Sequence, residues 1–171
     1  PGTSRRRRSG ESWSRPALVA ERNVISGNLG GGAFGNGILI SDVGTTSNLV
    51  TNNSIGTDLS GTIDLGNAGQ GIQITSSATN TQITENVIAF NDSDGVRLNN
   101  SAGNFHRIQT NSIFSNSGLG INLVGPGDPA NGVTPNDLND ADSGPNDLLN
   151  KPALLQSIAL PTGTFIEYSL H

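Results

Sequence analysis

Asp92, Asp94 and Arg97 form the densest charged cluster in the repetitive part of the chain. A carboxylate beside a guanidinium can bind a sugar, and it can act as a general acid or base when its pKa is raised. The competing interpretation is structural: an aspartate caps backbone amides in a turn, and an arginine pairs with it on the surface. The sequence favours the structural interpretation, and the three residues stay the first candidates for catalysis.

His106 is the fourth catalytic candidate, as a base, and it lies between Phe105 and Arg107. The chain has no cysteine, and no serine stands in a recognised nucleophile context. With only two histidines in the sequence, one of them at the last position, an all-protein histidine metal site is excluded in practice. The alternative, a histidine that simply occupies a turn, is favoured.

Calcium is the better metal candidate, because oxygen-bearing side chains are concentrated in one loop. The candidate ligands are Asp137, Asn139, Asp140 and Asp142. Carboxylate and amide oxygens are the ligands that Ca²⁺ takes in proteins, but the spacing departs from that of an EF-hand. The alternative is a solvated acidic loop. No cofactor is required on either interpretation, and a bound Ca²⁺ would have the structural role of holding the loop in place.

The elements that position these residues belong to a motif that recurs about every 25 residues. Ile83-x-x-Asn86-x-Ile88-x-x-Asn91 and Ile108-x-x-Asn111-x-Ile113-x-x-Asn116 are each followed by a Gly-Val/Ile-x-Leu run, and earlier copies begin at Val50 and Asn23. Apolar residues alternate with polar ones over short runs, which predicts three short half-buried strands per repeat. Such repeats stack on one another. We therefore expect an all-β fold, a single-stranded right-handed parallel β-helix (solenoid) of about four to five coils.

Asparagine and glycine recur at fixed places in this motif. We expect Asn53, Asn86 and Asn111 to adopt the left-handed conformation at a corner and to bond to one another in a ladder. The glycines at 37, 71, 95 and 120 are expected to permit the bend before a strand. Residues 56–67 interrupt the second copy and must loop out, either as a binding lip or as an inert excursion.

Charge and composition limit the classes of partner. From Asn23 onward the chain has three basic side chains against twelve acidic ones, a net charge of −9, whereas six arginines lie in the first 22 residues. We expect no nucleic acid and no membrane to bind the acidic body. Three segments are expected: 1–20 as a basic arm, non-native or an N-terminal cap formed by Trp13, Leu18 and Val19; 21–132 as the coils; and 133–171 as an acidic loop with closing strands, truncated or complete.

The repeats resemble those of the pectate-lyase-like superfamily of right-handed parallel β-helix proteins. Asn23-Val-Ile-Ser-Gly-Asn28, Ile55-Gly-Thr-Asp-Leu-Ser-Gly-Thr and Gly66-Asn67-Ala-Gly-Gln-Gly-Ile72 are similar to segments of large extracellular repeat proteins of bacteria. This resemblance implies a secreted or cell-surface origin, although this chain shows no signal peptide. Enzymes of the superfamily carry charged residues on an outward groove of one sheet. Here the corresponding outward column would be Leu39, Gln73, Arg97 and Asn122.

Two function classes remain open from the sequence. The first is a non-enzymatic β-helix module with a structural, adhesive or glycan-contacting role, since the motifs typical of pectin-hydrolysing relatives are absent. The second is a small hydrolase or lyase that acts on a polysaccharide or an ester through the Asp92, Asp94, Arg97 and His106 set. The expected partners are a polysaccharide or cell-surface glycan, and a second copy of the chain bound through exposed coil ends or sheets.

Overall fold

The computed structural model describes residues 22–30, 35–128, 132–139 and 142–169. The early strands are β1 (Asn23–Ile25), β2 (Ile38–Ile40), β3 (Leu49–Thr51), β4 (Asn53–Ile55), β5 (Ile72–Ile74) and β6 (Gln82–Thr84). The next are β7 (Val87–Ala89), β8 (Val96–Leu98), β9 (Arg107–Gln109), β10 (Ser112–Phe114) and β11 (Ile121–Leu123). A 3₁₀ helix (Pro145–Leu148) and two longer strands, β12 (Ala153–Leu160) and β13 (Gly163–Ser169), follow.

The short strands form three parallel sheets that the chain visits in rotation. Sheet 1 is β3-β6-β9, sheet 2 is β1-β4-β7-β10 and sheet 3 is β2-β5-β8-β11. Each strand pairs with its counterpart one repeat away, as in Ile83 with Ile108 and Ile88 with Ile113. This all-β arrangement of stacked parallel strands is the one that the repeat predicted, and it is compatible with a β-helix.

The core is a column of aliphatic side chains from the inward positions of the three sheets. Its fully buried members are Ile55, Ile72, Ile74, Ile83, Ile88, Val96 and Leu98. Inward and outward residues alternate because successive side chains of a strand point to opposite faces. The register predicted for sheet 3 is confirmed, since Leu39, Gln73, Arg97 and Asn122 are Cα partners from strand to strand. The last member of this column, Asn122, is buried.

Two ladders of asparagine side chains join the repeats. The first contains Asn23, Asn53, Asn86 and Asn111, and the second contains Asn28, Asn67, Asn91 and Asn116. The predicted bonding of Asn53, Asn86 and Asn111 is thus confirmed, whereas their predicted left-handed conformation is wrong. The left-handed residue is the one just before: Asn52, Glu85 or Thr110. The corner turns there, so that the next side chain points inward to bond the neighbouring repeat.

The recurrent glycines at 37, 71, 95 and 120 are needed for space, and no left-handed conformation requires them. None of the four has a positive φ. A Cβ at Gly71 would lie 2.6 Å from the Gly95 carbonyl oxygen and 2.6 Å from Cγ2 of Ile88. A Cβ at Gly120, in the last repeat, would meet only Ile113 at 3.7 Å. The stack therefore excludes a side chain wherever a further repeat follows.

The interruption at 56–67 loops out, as predicted, and is closed by its own hydrogen bonds. The Asp58 carboxylate accepts bonds from the Ser60 hydroxyl and from the backbone N–H groups of Ser60, Thr62 and Ile63. These bonds, with the Ser60 hydroxyl as the largest influence, lower the pKa of Asp58 well below its usual range. The loop is thus a compact turn, and its use as a binding lip stays a prediction.

Hydrogen bonds from asparagine side chains also hold the main chain of the segment that follows the last repeat. Three of these side chains each bond both the N–H and the C=O of one residue: Asn146 bonds His106, Asn150 bonds Asp137, and Asn136 bonds Lys151. A side-chain amide that accepts from the N–H and donates to the C=O of one residue makes the two hydrogen bonds that a neighbouring strand would otherwise make. Leu148, in the 3₁₀ helix of this segment, is buried, and the helix contacts β11. The segment therefore covers part of the end of the stack.

The two longest strands, β12 and β13, form an antiparallel hairpin after that segment. Most of its apolar side chains are exposed, as Leu154 and Phe165 illustrate. The three-segment division stays a prediction, and its first segment, residues 1–20, lies wholly outside the described residues.

Candidate functional site

Asp94 lies in the turn before β8, where it is 1% exposed and has three hydrogen-bond partners. One carboxylate oxygen accepts from the Leu119 N–H at 2.8 Å. The other accepts from the Asn122 side-chain amide at 2.9 Å and from the Arg97 guanidinium at 3.1 Å. Leu119 and Asn122 belong to the following repeat. Asp94 therefore links two repeats, whereas the structural interpretation of the sequence placed it in a surface turn, paired with Arg97.

Asn36 makes the same link between earlier repeats. Its side-chain oxygen accepts from the Gln70 N–H at 2.9 Å, and its amide donates to the Gln73 side chain at 2.5 Å. Gln70 and Gln73 correspond to Leu119 and Asn122 in the repeat. Both links need a glycine, because a Cβ at Gly69 or Gly118 would lie 2.4 Å from the accepting oxygen. A neutral amide therefore fulfils the same function in one repeat as the carboxylate in another.

We expect Asp94→Asn to cost about 1 kcal/mol of unfolding free energy and Asp94→Ala about 2 kcal/mol. The introduced amide can accept from Leu119, and it can donate to the Asn122 oxygen, which has no partner among the described residues, once the Asn122 side-chain amide turns over. The bond to Arg97 is lost. Alanine leaves the half-buried Leu119 N–H and the buried Asn122 amide without this acceptor. Chemical denaturation of both variants measures the difference, and equal losses would show that the amide does not replace the carboxylate.

The other members of the charged cluster occupy different environments. Arg97 bonds Asp94 and also the Asn99 side chain at 2.7 Å, so its guanidinium is held against the protein. Asp92 is exposed, and it lines a shallow groove of about 320 Å³ with Ser93, Asp94 and Ser117 among others. The structure thus brings the three predicted residues together. A catalytic role for any of them stays a prediction.

His106 lines a different groove from the carboxylates, in the corner before β9. It is 7% exposed, and its Nδ1 accepts the Thr81 N–H at 3.3 Å. The neutral ring therefore carries its proton on Nε2. Burial lowers the pKa of His106, because a charged imidazolium loses its hydration there. The structure does not place His106 with the Asp92, Asp94 and Arg97 cluster.

We expect the protein to lose stability between pH 7 and pH 5 through His106. The unfolded histidine takes up a proton near pH 6.5, and the folded one does so only at lower pH, so acid favours the unfolded state. The melting temperature of His106→Thr, which introduces the residue found at Thr81, should fall less over this range. Identical pH profiles for the two proteins would contradict this expectation. The pKa values of Asp58 and Asp128 are lowered, so these carboxylates take up protons, and thereby reduce stability, only at more acidic pH.

An exposed phenylalanine lies in the same groove as His106, and the sequence interpretation missed it. The groove has a volume of about 340 Å³ and is lined by Asn80, Gln82, Phe105, His106 and Arg107. Phe105 is 81% exposed and has a φ of 68°. A left-handed conformation costs a residue with a side chain roughly 1–2 kcal/mol. The only sequence signal was its position two residues before Arg107, where the preceding repeat has an asparagine.

The predicted calcium loop is organised by amide bonds in the part that is described. Asn150 bonds the main chain of Asp137, and Asn139 has a left-handed φ of 66°. Asp140 lies outside the described residues. No group of three or more His, Cys, Asp or Glu side chains arranged for a metal occurs within the described ranges.

No protein-family model, curated protein or solved structure matches the chain. The stacked parallel sheets are compatible with a β-helix, and membership of the pectate-lyase-like superfamily stays a prediction. In the described part of the chain, no helix has the length and apolar character needed to cross a membrane.

Proposed function

We propose that the chain is a right-handed parallel β-helix module of the pectate-lyase-like kind, with a structural, adhesive or glycan-contacting role. One observation carries this proposal: Asp94, the central residue of the candidate catalytic cluster, makes the same link between repeats as Asn36. A group that a neutral amide replaces elsewhere in the stack is engaged in holding the repeats together. The right hand is supported by the preference of parallel crossover connections.

The remaining surface suits contact with a polar polymer. The acidic body repels nucleic acid and anionic membranes, and the outward positions are mostly polar. We place the protein outside the bacterial cell, in keeping with the resemblance of its repeats. Retention of the chain on a panel of immobilised polysaccharides tests the glycan-contacting role. Failure to bind any member of the panel at millimolar sugar would overturn it.

A second candidate function is a hydrolase or lyase that acts on a polysaccharide or an ester. The exposed Asp92 favours it, since this carboxylate shares a groove with Asp94 and two serines, Ser93 and Ser117. Asp92 would act as acid or base there, and Arg97, which bonds Asp94 and does not line the groove, would hold Asp94 in place. His106 would have no part in this groove.

Two further proposals concern assembly and metal. Exposed strand edges in the last repeat would pair with a second copy, because unpaired edges favour association. Light scattering at high protein concentration that shows only monomer would contradict the dimer.

A Ca²⁺ ion at Asp137, Asn139, Asp140 and Asp142 would raise the melting temperature, and an unchanged melting temperature with added chelator would contradict that site.

A further inference from the structure

One corner of the stack departs from its own repeat at Phe105. The corner before sheet 1 has a left-handed residue in each of three repeats: Ser47 (φ 58°), Asn80 (φ 51°) and Phe105 (φ 68°). The Asn80 side chain donates to the Ser47 hydroxyl at 3.0 Å, so the first two residues continue a polar column. Of these three residue types, phenylalanine tolerates the left-handed conformation least. Its side chain has no polar atom, so the polar column ends at Asn80. Locally unfavourable residues of this kind are typical of functional sites.

The neighbouring arginine is equally unusual in this chain. Arg107 is exposed, and its side chain makes no hydrogen bond or ion pair within the described residues. It is one of three basic residues in a body with a net charge of −9. Arg107 is the Cα partner of Gln82 on the adjacent strand, where both side chains point outward because Ile83 and Ile108 face the core. A guanidinium and a carboxamide therefore project side by side, next to the exposed ring.

We propose that Phe105, Arg107, Gln82 and Asn80 form a binding subsite for a pyranose that carries an anionic group. The proposal rests on the glycan-contacting role stated above and names its site and ligand class. The negative face of the phenylalanine ring attracts the weakly positive C–H groups of a sugar ring. The guanidinium binds a carboxylate or a sulfate with two parallel hydrogen bonds. The two carboxamides donate to and accept from hydroxyl groups.

The groove has dimensions that suit this ligand. Its volume of about 340 Å³ lies at the lower end of the range of small-ligand sites, and its open shape admits one residue of a longer chain. Adjacent strands lie about 4.8 Å apart, so the amide of Gln82 and the guanidinium of Arg107 can contact neighbouring substituents of one ring. A ligand bound here lies away from the Asp92 groove, and binding requires no catalytic group.

Two variants test the subsite in the full chain. Phe105→Asn introduces the residue that the preceding repeat has at this corner, so we expect its melting temperature to equal or exceed that of the unchanged protein. Arg107→Gln introduces the residue of the adjacent strand. Phe165→Asn removes an exposed phenylalanine from the hairpin and serves as the matched control. Calorimetric titration with a carboxylated, a sulfated and a neutral oligosaccharide, and with poly-L-glutamate, measures binding.

We expect the unchanged protein to bind at least one of the two anionic sugars. Phe105→Asn and Arg107→Gln should each weaken that binding at least tenfold, and Phe165→Asn should leave it unchanged. Sugar binding that both variants retain would overturn the subsite and leave the glycan-contacting role standing. Equal binding of the neutral sugar or of poly-L-glutamate would overturn the assigned ligand class. Absence of binding to every sugar would overturn both proposals.

Discussion

Replacing Asn86 by alanine is expected to lower the free energy of unfolding by about 4 kcal/mol. The Asn86 side chain is 1% exposed. It donates to the Val50 carbonyl and the Asn111 oxygen, and it accepts from the N–H and the side chain of Asn53. Its removal leaves several buried polar groups without partners, and each costs roughly 1–3 kcal/mol. Urea denaturation measures the loss.

Asn23→Ala is the control for that experiment. Asn23 begins the same ladder, is exposed, and makes one side-chain bond, to the Asn53 oxygen at 2.8 Å. Water can replace that bond, so we expect a loss of less than about 0.5 kcal/mol. Similar losses in the two variants would mean that the ladder contributes little in the middle of the stack.

Gly71→Ala is expected to cost about 3 kcal/mol of unfolding free energy, and Gly120→Ala less than about 0.5 kcal/mol. A methyl group at Gly71 would overlap the main-chain oxygen of Gly95, and Ile88, which lies in the buried core, cannot move aside. The same methyl group at Gly120 would meet ordinary contact distances, because no further repeat follows it. Denaturation of the two variants under one condition compares them directly.

The glycine pair separates two explanations of one sequence pattern. If the recurrent glycines served a bend, both substitutions would cost the same, since the four positions are equivalent in the motif. If the glycines are needed because the next repeat lies close, the losses of unfolding free energy at the two positions are unequal. Equal losses at positions 71 and 120 would therefore contradict the account of close stacking.

The sequence permitted correct prediction of the strands, the parallel stacking and the register of sheet 3. The period-two alternation reports directly which side chains face the core, and the repeat length aligns Gln73 with Arg97 and Asn122. The first asparagine ladder was predicted from the same alignment. The second ladder, through Asn67 and Asn91, follows from the same motif and was overlooked, because the long insertion hides the correspondence of Asn67.

Other features could not be read from the repeat. The bond between Asn146 and the main chain of His106 joins residues 40 positions apart, and no periodicity links them. The role of Asp94 had a signal, since Asn36 also precedes a glycine at the same place in the motif. The importance of Phe105 depends on its backbone conformation, which composition and spacing do not show.

We propose that the charged cluster holds the repeats together and that the protein contacts glycans without cleaving them. The most direct test incubates the unchanged protein and Asp94→Asn with the polysaccharides that retain the protein, and measures newly formed reducing ends and unsaturated products by mass spectrometry. We predict no product from either protein and equal retention of both. Product released by the unchanged protein and lost in a folded Asp94→Asn variant would contradict the claim and establish the enzyme in its place.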